Sequence, residues 1–176
     1  DMLELSRLQS GTASLSRSVF APLPLFNLIH ETYSAYAEDY QQTFVYDVPE
    51  DLPSVWGNPD RTQQVLIVLL DNAFKYTPEG GVVTLSACAE GDVVRVRVRD
   101  TGVGIPAADL PHVFDRFYKV DKSHHSKGTG LGLAIAYEIM KHLGEEMSVT
   151  SELNQGSCFT FTLHIAKSSG FPPTIA

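Results

Sequence analysis

The chain reads as an α+β protein, a two-layer sandwich in which a mixed, mostly antiparallel sheet carries helices on one face. Three observations point there. Long segments of helical periodicity have clear start and stop residues. Strand-like segments are joined in pairs by short turns, as in "AEGDVV" and "SELNQGS". Helix and strand do not alternate regularly, which argues against a doubly wound parallel sheet.

Along the chain, "MLELSRLQSG" sets Leu3, Leu5 and Leu8 near helical spacing and stops at Gly11. Residues 12–22, "TASLSRSVFAP", are polar and proline-bearing and read as a linker. An amphipathic helix follows from about Leu23 to Gln41. "TFVYDV" and "SVWGN" read as strands. Asn58 caps a long helix with Pro59 at its first position, and "TPEGG" ends it. "VVTLSACAEGDVVRVRVRD" is a hairpin turning at Glu90, Gly91 and Asp92. Val94, Val96 and Val98 share one face; Arg95, Arg97 and Arg99 share the other, which reads as solvated rather than anion-binding. Residues 101–127 hold short helical pieces at most. A helix from about Thr129 to Leu143 stops at Gly144, and "MSVTSELNQGSCFTFTLHI" closes the fold as a hairpin. Residues 167–176 read as a disordered tail.

The 176 residues are 43% hydrophobic, enough for a substantial core in one domain. A formal net charge of -8 argues against nucleic acid as a partner. Cys88 and Cys158 are in no metal-ligand spacing and read as reduced thiols. No apolar run approaches the roughly 20 residues of a membrane helix.

Three stretches carry candidate chemistry. "KGTGLGLAIA" has glycines at alternate positions before a helix, where backbone N–H groups suit an anion. Its spacing fits neither the dinucleotide fingerprint nor the phosphate loop, and a close-packed helix start explains it equally well alone. "DTGVGIP" follows a strand: Asp100 can accept a hydrogen bond from an amine, and Gly102 and Gly104 admit a flat ligand, although an ordinary turn has the same composition. In "QVLIVLLDNAFKY" the residues from Val65 to Leu70 are apolar almost all round and read as buried. Asn72, Lys75 and Tyr76 then stand at i, i+3 and i+4 on one face. An amide oxygen suits a hard cation, an ammonium suits phosphate, and a ring suits a stacked base. A helix merely turning polar as it surfaces does not account for all three on one side.

Together these stretches resemble the ATP-binding domain of bacterial sensor histidine kinases, within the superfamily shared with DNA gyrase, the heat-shock ATPases and the mismatch-repair ATPases. "DNAFKYTPEGG" resembles the asparagine box, "DTGVGIP" the first glycine box, "FDRFYKVD" the phenylalanine box and "KGTGLGLAIA" the second glycine box; "GSCFTFTL" is similar to the last strand. The resemblance runs from about Leu23 to Ile165 and implies a Bergerat-type ATP-binding fold. It makes residues 1–11 the end of a dimerisation-domain helix, 12–22 a linker and 23–166 the catalytic domain.

The resemblance also implies roles. Asn72 would hold Mg2+ on the ATP phosphates, and Lys75 would touch phosphate. Tyr76 would pack on adenine or ribose, and Asp100 would accept the adenine amino group. Gly102, Gly104 and Ile105 would form the adenine floor. Residues 115–127 would be a mobile lid, from which Tyr118, Lys119 and Lys127 reach the nucleotide. Gly128, Thr129, Gly130, Leu131 and Gly132 would face the phosphates. Asn72, Lys75 and Lys119 would serve catalysis. Phe114 and Phe117 read as apolar anchors of the lid, and His124 and His125 as solvated.

Three positions depart from the pattern, the mildest being Ser157 where threonine is common. Val68 stands where many relatives have a second asparagine, and Glu145 replaces a glycine in a segment far from the nucleotide. The phospho-acceptor setting is missing: "HETYSA" has Ala35 where proline would follow, so His30 reads as an ordinary helix residue. The expectation is a fragment of a membrane-anchored homodimeric kinase whose acceptor histidine lies upstream. Its partners would be its own dimerisation domain and a response regulator. The alternative is a degenerate module that binds ATP without phosphotransfer.

Overall fold

The computed structural model describes residues 2–11, 15–119 and 130–167. Among them the order is α1 (Met2–Ser10), β1 (Ser18–Phe20), α2 (Leu23–Asp39), β2 (Thr43–Asp47), β3 (Val55–Gly57), α3 (Pro59–Tyr76), β4 (Val82–Glu90), β5 (Val93–Asp100), a 3-10 turn (Leu110–His112), α4 (Gly132–His142), β6 (Met147–Glu152) and β7 (Gly156–Ile165).

The strands form one sheet in the order β1-β3-β7-β5-β4-β2, with β6 also paired to β7. Only β2 and β4 run parallel; every other pairing is antiparallel. Strand alternation decides the faces. Val83 and Leu85, Val94, Val96 and Val98, and Phe159, Phe161 and Leu163 point inward to a core shared with α2, α3 and α4. The arginine row lies on the opposite, solvated face, where Arg95 Nε bonds Glu90 at 2.6 Å.

The long helix α3 starts and ends as its residues dictate. Asn58 Oδ1 accepts from the Arg61 N–H at 2.9 Å, supplying the cap. At the other end Thr77 is extended, as a residue before proline prefers, and its hydroxyl donates to the Ala73 carbonyl. Val65, Leu66, Leu69 and Leu70 are buried, but Ile67 is 37% exposed, so the helix is less enclosed than its apolar run suggests. A run of six apolar residues always places one on the outer side of a 3.6-residue turn.

Two expectations are corrected. Residues 12–22 are not all linker: Ser18–Phe20 form β1, an edge strand paired antiparallel to β3. Three residues carry too little periodicity to declare a strand; the neighbouring edge supplies the partner. The boundary drawn at residue 12 also fails as a packing boundary, because Leu5 and Leu8 of α1 are fully buried in the same core. The proposed helix start at Thr129 and the tail beyond Lys167 lie outside the described residues; α4 begins at Gly132 and is followed by Gly144 with φ 72°.

Leu66 of α3 is fully buried in the core. Leu66→Ala should lower unfolding free energy by about 2–5 kcal/mol, the usual cost of such a cavity, measured by urea denaturation. A loss below about 0.5 kcal/mol would mean that α3 is not the central core helix.

Candidate functional site

A cavity of about 750 Å³ opens between α3, the loop after β5 and the start of α4, within the size range of small-ligand sites. From α3 come Val68, Asp71, Asn72, Lys75 and Tyr76; from the end of β5 and the loop after it come Asp100, Val103, Gly104 and Ile105. Tyr118 and Lys119, Gly130 and Gly132, and Ser157 and Phe159 of β7 also line it, with Thr77, Pro78, Val113 and Leu133. The three faces singled out in the sequence therefore meet at one place.

Asp100 ends β5 and is only 5% exposed. Its Oδ1 accepts from the Gly102 N–H at 2.9 Å and the Ser157 N–H at 3.3 Å. Its Oδ2 has no partner among the described residues, while the side chain lines the cavity. Burial pushes this carboxyl above the ordinary aspartate range, against the pull of those two backbone donors. The site thus holds an acceptor oxygen ready for a donor that enters the cavity.

The loop after Asp100 is fixed by backbone bonds. Val103 N–H donates to the Tyr76 carbonyl at 3.2 Å, and Asn154 N–H donates to the Val103 carbonyl at 2.8 Å. Gly104 has φ 73°, and a side chain there would collide with the Glu152 carbonyl. Only glycine lets this loop lie against the β6–β7 turn. Ile105 N–H donates to Ser151 Oγ at 2.8 Å, and that hydroxyl lies 2.9 Å from both the Gly156 carbonyl and Ser157 Oγ. Ser151 has one proton; given to Gly156, it leaves Ser157 as the donor between the hydroxyls. Nothing in the spacing of Ser151 and Ser157 revealed this network, because it joins segments that meet only through the β6–β7 register.

On α3, Asn72, Lys75 and Tyr76 all face the cavity, and Lys75 Nζ sits 5.2 Å from the centre of the Tyr76 ring. Val68, one turn earlier, is apolar, and Asp71 Oδ1 is engaged by the Tyr33 hydroxyl at 2.7 Å. No group of three or more His, Cys, Asp or Glu among the described residues could hold a metal. The donor set fits a magnesium ion that keeps most of its ligands as water and phosphate, with Asn72 as the protein's amide oxygen.

The remaining candidates divide. Gly130 and Gly132 line the cavity; Gly102 and Leu131 do not, Gly102 serving Asp100 and Leu131 the core. Lys119 lines it. Tyr118 lines it too, with its hydroxyl donated to Asp109. Lys127, Gly128, Thr129, His124, His125 and the greater part of the proposed lid lie outside the described residues. Phe114 packs inward, stacked on Tyr137 at 4.9 Å and edge-on to Phe159. Phe117 does not: it is 53% exposed and holds φ 63°. Its N–H donates to the Gly130 carbonyl at 3.1 Å, and a Cβ on Gly130 would stand 2.8 Å from the Phe117 carbonyl carbon. The backbone crossing that turns Phe117 outward makes a tight neck there. Away from this site His30 stacks on Tyr46 at 4.1 Å. Glu145 is buried outside the cavity, accepting from Thr162 Oγ1 at 2.9 Å and the His164 N–H at 2.7 Å.

The chain matches the family described as "Histidine kinase-, DNA gyrase B-, and HSP90-like ATPase" over residues 57–167. It is 39% identical to the adaptive-response sensory kinase SasA of Synechococcus elongatus over 84% of this chain and 38% of that protein. Among solved structures it resembles full-length ShkA in complex with AMPPNP, with TM-score 0.82, 30% identity, and 95% of this chain and 35% of that one covered. It also resembles the nucleotide-free catalytic domain of histidine kinase ThkA, with TM-score 0.74, 24% identity, and 87% of this chain and 97% of that one covered. ThkA has further been crystallised with the response regulator protein TrrA (TM-score 0.74, 20% identity, 93% of this chain and 47% of that one). The chain spans less than half the length of the curated relatives it matches, from 17% to 43%.

A carboxyl with a raised folded-state pKa binds its proton more tightly when folded. Its contribution to stability is present at low pH and lost as pH rises from the unfolded value, about 3.9, through the folded one. Across that window the stability of the wild type relative to Asp100→Asn should fall as pH rises, read by urea denaturation at a series of pH values. A flat or rising difference would show that the backbone donors outweigh burial.

Proposed function

The chain belongs to the histidine kinase-, DNA gyrase B- and HSP90-like ATPase family as the catalytic domain of a sensor histidine kinase, and from that premise we propose that its cavity binds ATP with magnesium for phosphoryl transfer to a histidine of the intact protein. The observation that carries this reading is Asp100. A buried carboxylate with one oxygen committed to backbone and the other unpartnered suits the exocyclic amine of adenine, whereas guanine presents a carbonyl at that position. Tyr76 and Ile105 would flank the base. Lys75 and Lys119, with the backbone at Gly130 and Gly132, would meet the phosphates. Lys127, Gly128 and Thr129 are proposed to join them. Asn72 would hold magnesium, which supplies charge neutralisation to the polyphosphate. The chain's own part is positioning and electrostatic stabilisation, the main resources of phosphoryl-transfer enzymes.

The intact protein is proposed to be a homodimer that phosphorylates its own dimerisation domain and then serves a response regulator, as the pairing of ThkA with TrrA suggests. No described helix is long and apolar enough to cross a membrane; a membrane anchor is proposed for the intact kinase, with this domain in the cytoplasm. A second reading, nucleotide binding without transfer, draws on Val68, which leaves Asn72 without a neighbouring amide. Phosphorylation of a supplied dimerisation domain in trans distinguishes the two: transfer supports the kinase, and tight binding without transfer supports the degenerate module.

Calorimetry with magnesium should show ATP binding well ahead of GTP, with Asp100→Asn costing about 1.5–3 kcal/mol of ATP affinity, as for hydrogen bonds to charged groups. Equal affinity for the two nucleotides would refute the adenine assignment.

The chain alone should take no label from radioactive ATP, since His30 is stacked on Tyr46 rather than set in an acceptor environment. Acid-labile label at His30 would overturn that.

A further inference from the structure

Helix α1 touches the nucleotide site's supports at three places. Leu5 and Leu8 are buried in the shared core, where α1 packs along α4, whose first residue Gly132 lines the cavity. Glu4 Oε1 accepts from Arg61 Nη1 at 2.5 Å and from Gln64 Nε2 at 2.8 Å. Gln64 stands in the i, i+4 row of α3 that continues through Val68 to Asn72. Burial pushes the Glu4 carboxyl up, but the hydrogen bonds from Gln64 and Arg61 outweigh it and hold the group below the usual carboxylate range. At the other end of α1, Gln9 Oε1 accepts from Arg116 Nη2.

That last contact falls at the neck. Arg116 directly precedes Phe117, whose N–H is bonded to the Gly130 carbonyl, and the next two residues, Tyr118 and Lys119, line the cavity. Gln9 therefore holds the short segment that carries two cavity residues, while Glu4 holds the helix that carries Asn72.

We propose that Gln9 and Arg116 are positioning residues for nucleotide binding, and that seating of α1 on the domain and occupancy of the nucleotide cavity are coupled. A seated α1 fixes the neck before the ligand arrives, so less ordering remains to be done on binding. The coupling is reciprocal by thermodynamic necessity: whatever factor α1 seating contributes to nucleotide affinity, nucleotide must contribute to α1 seating. The proposal rests on the nucleotide-binding reading above.

The test uses this chain and AMPPNP with magnesium. Because Gln9 and Arg116 are exposed, neither Gln9→Ala nor Arg116→Ala should prevent folding, and each should weaken AMPPNP roughly two- to fivefold, consistent with an exposed charged hydrogen bond. Gln9→Glu, which keeps an acceptor for the guanidinium, should bind as the wild type does, and Gln9→Lys should weaken binding at least as much as Gln9→Ala. Amide exchange over Leu5–Ser10 should slow on adding AMPPNP to the wild type and respond less in Gln9→Ala. If the wild type binds no AMPPNP, the nucleotide reading itself fails. Wild-type binding with unchanged affinity in Gln9→Ala and Arg116→Ala would overturn the coupling alone, as would weakened binding without any effect of AMPPNP on exchange in α1.

Discussion

A carboxylate buried at the end of a central strand is costly unless backbone donors hold it, and the site is organised around that constraint at Asp100. β5 lies between β4 and β7, and in this register Asp100 stands opposite both Val83 and Ser157. The Ser157 N–H reaches Oδ1 from across the sheet, and the Gly102 N–H reaches the same oxygen from the turn. A slip of one residue would turn every β5 side chain to the other face, moving Asp100 out of the cavity and the valines out of the core. The same register that buries Val94, Val96 and Val98 thus aims Asp100.

Helix α3 supplies the complementary half. Its inner face is committed to the core, and its cavity-facing residues, Val68, Asp71, Asn72, Lys75 and Tyr76, recur at three- and four-residue spacing. Val68 places an apolar side chain among them, facing Gly132, where a Cβ would lie 3.5 Å from its methyl. Close packing of α3 against the start of α4 is one consequence. The other is that Asn72 has no amide one turn before it on the cavity side.

The neck holds one of the three non-glycine residues with positive φ among the described residues. A non-glycine residue at φ 63° costs about 1–3 kcal/mol, and Phe117 bears it while exposing an aromatic ring. The surrounding contacts over-determine that conformation: the bond to Gly130, the Arg116 contact to Gln9 and the Tyr118 contact to Asp109. Glu145 shows the opposite case. It is a buried carboxylate whose two oxygens both have partners in Thr162 and His164.

The sequence by itself determined the elements and their punctuation: the Asn58 cap, the stop at Thr77–Pro78, the turn at Glu90–Asp92 and the two-faced β5. It also determined that Asn72, Lys75 and Tyr76 share a helix face, because these properties depend on residues within a turn or two of one another. Four motif stretches in order were enough to recognise the family. Only the tertiary structure decided that Ser18–Phe20 is a strand, that Leu5 and Leu8 belong to this core, that Phe117 turns outward and that Tyr118 is tied to Asp109. It likewise decided which Asp100 oxygen is left for a ligand. Each of these depends on a partner brought close by the fold, and local periodicity carries no signal for a neighbour that pairing and packing must first deliver.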